Sequence, residues 1–151
     1  MNLLMVCLGN ICRSPMAEGI LQEMIRVNKL DWKVDSAGTE AYHVGEAPHR
    51  FSQKVAQGHG IDLSGQRARR FQPSDFMRFD KIYAMAGDVV EEIRAIGGPA
   101  ADMEKVTLLL EETHPGQQLD VPDPWYGGEN GFHEAWTLIH AACAHIIEQY
   151  R

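Results

Sequence analysis

Apolar and polar positions alternate along the chain in a pattern that predicts strands and helices in turn. Four short apolar runs are typical of buried strands, at residues 2–6, 32–36, 81–85 and 106–110. Apolar residues spaced three or four positions apart predict amphipathic helices near residues 15–28, 48–57, 88–96 and 132–149. Asn130 is the expected cap of the last helix. Cys143 falls on the apolar stripe of that helix, so we expect it in the core.

Strands that alternate with helices imply right-handed crossovers and a parallel sheet of the α/β class. A ligand of such a sheet binds at the carboxyl ends of the strands, beside the point where the strand order reverses. Cys7 follows the first predicted strand, Ser36 ends the second, and the turn Met85-Ala86-Gly87 follows the third. We therefore expect three separate segments of the chain near one crevice.

The segment from Cys7 to Arg13 links the first predicted strand to the first predicted helix. Backbone N–H groups at a helix N-terminus lack partners within the helix, so a loop of this kind binds anions. The same positive potential favours the thiolate form of a cysteine, which is the reactive form. Arg13 adds a planar fork of donors that fits two phosphoryl oxygens. Alone, Cys7 is typical of a buried strand and Arg13 of a surface; together they predict an anion site with a nucleophile.

Four neighbouring residues fit the same interpretation. We expect Gly9 to allow backbone angles that other residues avoid, and Asn10 to adopt a left-handed conformation. We expect Ser14 to cap the helix and to donate its hydroxyl to the sulfur of Cys7. Pro15 suits the first helical turn, where a missing N–H has no cost.

The run from Val6 to Pro15 resembles the signature loop of the low molecular weight protein tyrosine phosphatases. The resemblance extends to Asp35-Ser36-Ala37-Gly38-Thr39, to Gly58-His59-Gly60-Ile61-Asp62-Leu63-Ser64 with Ala68-Arg69, and to Asp123-Pro124-Trp125-Tyr126-Gly127. It implies one α/β domain over residues 1–151, with a four-stranded parallel sheet in the strand order 2-1-3-4 and helices on both faces. It also implies two-step hydrolysis of phosphotyrosine and small aryl phosphates, with no metal and no cofactor.

The resemblance assigns roles to individual residues. Cys7 is implied to be the nucleophile that forms a phosphocysteine, and Arg13 to hold the phosphoryl oxygens with the loop amides. Asp123 is implied to be the general acid for the leaving phenolate and then the general base for water. The implied substrate-binding residues are Leu8, Gly9, Asn10, Ile11, Cys12 and Ser14 of the loop and Tyr42, Trp125 and Tyr126 of the aromatic pocket walls.

The resemblance also implies a supporting network, in which Asn10, Ser36 and His59 hydrogen-bond with one another and hold the loop in shape. Two positions depart from the family pattern. Trp125 stands where many relatives have a tyrosine, which preserves an aromatic wall. Ala86 stands where relatives commonly carry an aspartate, so we expect one local structural bond to be missing.

Three other functions stay open as alternatives. An arsenate reductase of the same fold needs two further cysteines on a mobile segment, and residues 80–100 contain none. A phosphoarginine phosphatase of the same family carries a small polar residue at the position of Ile11, so Ile11 favours phosphotyrosine. A non-catalytic phosphopeptide binder would need Arg13 but neither Cys7 nor Asp123.

Composition and charge narrow the class of protein. The chain has 151 residues and a formal charge of −7, with 44% hydrophobic and 23% charged residues. An acidic balance argues against a nucleic-acid binder, because phosphate backbones need a basic surface. No apolar run approaches the ~20 residues of a membrane span, and the N-terminus lacks a secretory signal pattern. We expect a cytoplasmic monomer whose partners are phosphotyrosine-containing proteins, with a bacterial tyrosine kinase as one candidate.

The chain has three cysteines, which fit a reducing compartment better than a disulfide framework. Cys12 lies in the same loop as Cys7. Peroxide oxidises the more reactive thiolate first, and we expect Cys12 to condense with the oxidised Cys7 to form a reversible disulfide. The alternative is that Cys12 only fills space behind the loop, as free cysteines commonly do.

Overall fold

The computed structural model describes residues 1–151 and contains one sheet of four parallel strands. The strand order is β2-β1-β3-β4, as predicted. The strands are β1 Asn2–Cys7, β2 Lys33–Gly38, β3 Lys81–Ala84 and β4 Val106–Leu108. β2 runs two residues further than the sequence predicted. β4 ends two residues earlier, because a 3-10 turn over Leu109–Glu112 redirects the chain.

Five helices accompany the sheet, and four of them were predicted. They are α1 Arg13–Val27, α2 Arg50–Gly58, α3 Asp75–Arg78, α4 Gly87–Gly97 and α5 Glu129–Tyr150. α3 has only four residues, too few for a helical period to be visible in the sequence. The prediction that Asn130 caps the last helix was wrong. Asn130 lies inside α5, and the residue at the cap position is Gly128, which offers no side chain.

Alternating side chains of β1 point to opposite faces of the sheet, and each face has its own core. Leu3 and Met5 pack with α1, α2 and α5 in a cluster of 27 buried residues. Leu4 and Val6 pack with α3 and α4 in a cluster of 11. Burying one such side chain contributes roughly 1.5–3 kcal/mol, so both layers hold the sheet firmly. The prediction of helices on both faces is confirmed, as is the burial of Cys143.

The carboxyl ends of β1, β2 and β3 meet at one edge of the sheet, as the sequence predicted. Cys7 ends β1 and pairs with Gly38 of β2. On the other side of β1, the Met85 N–H donates to the Val6 carbonyl at 2.9 Å. The N-terminus of α1 lies at this same edge, since only a short loop separates it from β1. None of the helices combines the length and apolar character that a membrane-spanning helix needs.

Candidate active site

The loop of residues 8–12 connects β1 to α1 and presents unpaired backbone donors. None of its N–H groups donates a hydrogen bond within the protein. α1 follows directly, and no side chain caps its first turn. Unpaired N–H groups and the positive end of the helix dipole together attract negative charge. The loop can therefore hold an anion the size of phosphate.

Close backbone packing fixes the shape of this loop. Asn10 has a φ of 58°, the left-handed conformation that the sequence predicted. Gly9 does not have a positive φ, which corrects the prediction for it. A Cβ on Gly9 would lie 3.0 Å from the His43 ring, so a side chain there would press on that ring. Behind the loop, a Cβ on Gly38 would lie 2.7 Å from the carbonyl oxygen of Leu8. β2 thus supports the loop directly through its backbone.

A chain of hydrogen bonds leads from the sulfur of Cys7 into the protein. Cys7 Sγ lies 3.0 Å from Ser14 Oγ, and Asn10 Nδ2 donates to that hydroxyl at 2.8 Å. Asn10 Nδ2 also donates to Ser36 Oγ at 3.0 Å, and the Ser36 hydroxyl donates to Glu18 Oε1 at 2.6 Å. Because Ser14 Oγ accepts from Asn10, its own proton is free to point at the sulfur. This arrangement stabilises a thiolate at Cys7.

The members of the network differ from the prediction at two residues. His59 is exposed, and the centroid of its ring lies 4.7 Å from that of Trp136, on which it stacks. It makes no side-chain hydrogen bond to Asn10 or Ser36. The residue that completes the network is Glu18, which sequence reasoning missed. Burial raises the pKa of Glu18 to about 6, and the hydrogen bond from Ser36 opposes this rise.

Ser14 also departs from its predicted second role. It is the second residue of α1, and the cap position is Cys12. Ser14 therefore does not cap the helix, and its hydroxyl serves the sulfur and Asn10 instead. Pro15 lies in the first turn of α1, as predicted.

Arg13 joins the loop to a second segment, which we call the acid loop, residues 120–126. The Arg13 side chain is buried, and its Nη1 donates to the Val121 carbonyl at 2.9 Å. Its Nη2 lies 3.6 Å from Asp123 Oδ2. The Val121 N–H donates in turn to the Met85 carbonyl at 2.7 Å. The guanidinium thus lines the same cavity as Asp123, the only carboxylate with which it forms an ion pair.

A cavity of about 170 Å³ opens above the sulfur. Its lining brings together most of the residues that the sequence predicted, with Glu40 and His43 in addition: Cys7, Leu8, Gly9, Ile11, Cys12, Arg13, Glu40, His43, Asp123, Trp125 and Tyr126. Tyr42 is not among them. Tyr42 is 81% exposed, and its neighbour His43 lines the cavity where we expected Tyr42.

Trp125 also lines the cavity, and its ring contacts two histidine rings. The Trp125 ring lies 5.7 Å from that of His43 and 5.6 Å from that of His49. His49 stacks in turn on the buried Phe132 at 4.8 Å. Burial lowers the pKa of His49, with a smaller contribution from the charge of Arg50, which favours the neutral form of its ring. The cavity therefore has ring-lined walls suited to a flat aromatic group.

The three cysteines are free thiols in different surroundings. Burial, and next the proximity of Cys7, raise the pKa of Cys12 far above its usual range. Cys143 is completely buried under α1, and burial likewise raises the pKa of its thiol. No group of three or more His, Cys, Asp or Glu side chains is arranged to hold a metal ion.

Comparison with known proteins places this geometry in a family. The family model described as low molecular weight phosphotyrosine protein phosphatase matches residues 2–151. The chain belongs to this family. A Synechocystis protein named for the same family is 42% identical over 149 residues, covering 97% of this chain and 94% of that protein. The prediction of a protein-tyrosine phosphatase, a phosphoric monoester hydrolase, is therefore confirmed at the level of the family.

Solved structures of the family have the same fold. A protein tyrosine phosphatase from Entamoeba histolytica, with Hepes in its active site, superposes with a TM-score of 0.90 at 36% identity, covering 99% of this chain and 96% of that one. The Drosophila arginine phosphatase also superposes with a TM-score of 0.90, at 33% identity over 100% of this chain and 98% of that one. The fold is thus shared by members whose names give different phosphorylated substrates.

Proposed function

We propose that this phosphatase hydrolyses phosphotyrosine in proteins, and small aryl phosphates, through a phosphocysteine intermediate. The observation that carries the proposal is the position of Arg13. Its guanidinium lies beside the loop that begins at Cys7 and 3.6 Å from the carboxylate of Asp123. A nucleophile, a clamp for phosphoryl oxygens and a proton donor therefore surround one small cavity.

In the first step, the Cys7 thiolate attacks phosphorus and the bond from phosphorus to the phenolic oxygen breaks. The loop amides and Arg13 hold the three equatorial oxygens, where negative charge spreads in the transition state. Protonated Asp123 gives its proton to the leaving phenolate. The products of this step are the phenol and a phosphocysteine.

In the second step, Asp123, now a carboxylate, takes a proton from water as the water attacks the phosphocysteine. The bond from phosphorus to sulfur breaks, and inorganic phosphate and the Cys7 thiolate are released. Ser14, whose hydroxyl lies 3.0 Å from the sulfur, stabilises the departing thiolate by donating to it. One carboxyl group thus serves as acid and then as base, and returns to its starting state.

Two variants test these assignments. Cys7→Ser should abolish turnover while the protein stays folded by circular dichroism, because a serine hydroxyl remains protonated. Asp123→Ala should lower kcat/KM for phenyl phosphate by roughly 10²–10⁴-fold, the size of a general-acid contribution. The loss should shrink for 2,4-dinitrophenyl phosphate, whose leaving group departs without a proton. An equal loss with both substrates would remove Asp123 from the role of acid.

Phosphoarginine is a second candidate substrate, which the likeness to the Drosophila arginine phosphatase favours. The half-buried Glu40 lines the cavity without an ion-pair partner, and a carboxylate there would attract a guanidinium. Against this, the apolar Ile11 lines the cavity, and the ring-lined walls fit a phenyl group better. Matched peptides with phosphotyrosine, phosphoserine or phosphoarginine decide the matter. We expect the highest kcat/KM for phosphotyrosine, and a preference for phosphoarginine would reverse the proposal.

The remaining assignments concern the surroundings of the enzyme. We propose phosphotyrosine-containing proteins as substrates, a tyrosine kinase of the same cell among them, and action as a monomer. Three free cysteines, one of them the proposed nucleophile, support a reducing compartment such as the cytoplasm.

A further inference from the structure

Helix α4 begins without a capping side chain at its cap position. The residue at its cap position is Ala86, whose backbone is extended with φ −153° and ψ 163° and whose methyl group accepts no hydrogen bond. The first N–H groups of a helix need acceptors from outside the helix. The Gly87 N–H finds one in Asp120 Oδ1 at 2.9 Å, 33 residues further along the chain. The acceptor for the Gly87 N–H therefore comes from the acid loop and not from the start of the helix.

The same residue anchors the acid loop. Asp120 precedes Val121, which is completely buried and forms the two backbone bonds to Met85 and Arg13 described above. Three hydrogen bonds therefore hold residues 120–121 in place. They join these residues to Gly87 at the start of α4, to Met85 at the end of β3 and to the guanidinium of Arg13. Only Pro122, whose ring restricts the backbone, separates this fixed point from Asp123. The position of the Asp123 carboxylate thus depends on where Asp120 is held.

We propose that Asp120 is a positioning residue for the general acid. By capping α4 it fixes the start of the acid loop, so that the Asp123 carboxyl reaches the leaving oxygen. The proposal rests on the proposed role of Asp123. A cap within one segment stabilises only its own helix, whereas a cap that comes from another segment couples that segment's position to the helix. Asp120 is exposed and lies outside the cavity lining, so it acts through the loop and not on the substrate.

The test compares leaving groups. For Asp120→Ala we expect kcat/KM for phenyl phosphate to fall roughly five-fold, which corresponds to about 1 kcal/mol. With 2,4-dinitrophenyl phosphate, the change should stay below about two-fold, because this phenolate needs no proton. kcat/KM is the right quantity, since it reports the steps up to departure of the leaving group. Asp120→Asn keeps an acceptor for the Gly87 N–H and should retain nearly the full rate with both substrates.

Two control variants separate positioning from stability. The Asp88 carboxylate accepts from the Val89 N–H at 2.9 Å, so Asp88→Ala weakens the same helix start without touching the acid loop. It should lower Tm but leave the leaving-group dependence unchanged. The double variant Ala86→Asp with Asp120→Ala returns the cap to the helix itself. It should recover Tm while the selective loss with phenyl phosphate persists.

The outcomes decide between the explanations. If the double variant recovers both Tm and the rate with phenyl phosphate, Asp120 is only a helix cap and the proposal fails. It also fails if Asp120→Ala loses activity equally with both substrates, or loses none. Asp123→Ala is measured beside these variants. If the loss in Asp123→Ala does not depend on the leaving group, Asp123 is not the acid, and the proposal for Asp120 fails as well. If the loss in Asp123→Ala depends on the leaving group and the loss in Asp120→Ala does not, only the proposal for Asp120 fails.

Discussion

Replacing Gly38 by alanine should disturb the phosphate-binding loop from behind. Gly38 ends β2 directly opposite Cys7. A Cβ built there would lie 2.7 Å from the Leu8 carbonyl oxygen and 3.0 Å from both the Asn10 nitrogen and the Gly9 carbonyl carbon. All three atoms belong to the backbone of the loop, so no side-chain rotation can relieve the contact.

The size of the effect follows from these distances. Ordinary contact begins near 3.4 Å, so the Leu8 oxygen must move by 3.4 − 2.7 = 0.7 Å. Overpacking of this kind costs about 1–3 kcal/mol of stability. A misplacement of about 1 Å at a reacting centre can cost roughly 100-fold in rate. We therefore expect Gly38→Ala to lower kcat/KM by roughly 10- to 100-fold, since the loop amides no longer converge on the phosphoryl oxygens.

The assay measures p-nitrophenyl phosphate hydrolysis, competitive inhibition by inorganic phosphate, and Tm. Inhibition should weaken together with kcat/KM, because both depend on the same amides. Gly65→Ala is the matched control, since nothing lies within 4 Å of a Cβ at that position and its φ is not positive. Wild-type kcat/KM and wild-type phosphate inhibition in a folded Gly38→Ala protein would refute the claim that β2 shapes the loop.

Three further predictions use other parts of the site. Burial raises the pKa of Glu18 from 4.5 to about 6, so between these pH values the native state keeps a proton that the unfolded chain loses. As the pH rises from 4.5 to 6, the wild type should therefore lose about 2 kcal/mol of its free energy of unfolding relative to Glu18→Gln. Urea unfolding measures this difference, and a difference that does not change with pH would contradict the prediction. After mild peroxide and then dithiothreitol, the wild type should regain activity, and Cys12→Ser should regain much less. Before reduction, the oxidised wild type should contain a peptide with a disulfide between Cys7 and Cys12. Equal recovery in both proteins, with no such disulfide, would make Cys12 a packing residue only. Trp125→Ala should raise KM for a phosphotyrosine peptide by up to about ten-fold, because it removes an aromatic wall, and should change the inhibition constant of inorganic phosphate little. An unchanged KM would show that the wall is not used.

The features that depend on local sequence could be predicted well. A strand, a loop and a helix N-terminus that follow one another place Cys7, Arg13 and Ser14 together whatever the rest of the chain does. The short distance from Cys7 to Ser14 and the positive φ of Asn10 are of this kind. The strand order agreed with the order that the family resemblance implied.

The features that depend on packing between distant segments could not be predicted. Tyr42 and His43 are neighbours in one loop, and only the fold decides which of them faces the cavity. His59 carries the right chemistry for the network, but its ring stacks on Trp136 of a distant segment. Glu18 left a signal that could have been used. It follows Ser14 by four residues, so both lie on one face of α1.

Direct detection of the phosphocysteine tests the central claim of this account. The enzyme is mixed with a large excess of p-nitrophenyl phosphate, quenched in acid within the first turnovers, digested, and analysed by mass spectrometry. We predict that the peptide containing Cys7 carries one added phosphoryl group, that Asp123→Ala accumulates more of it, because the second step lacks its base, and that Cys7→Ser carries none. An unmodified Cys7 peptide under conditions of full turnover, or a phosphoryl group on another residue, would contradict the mechanism.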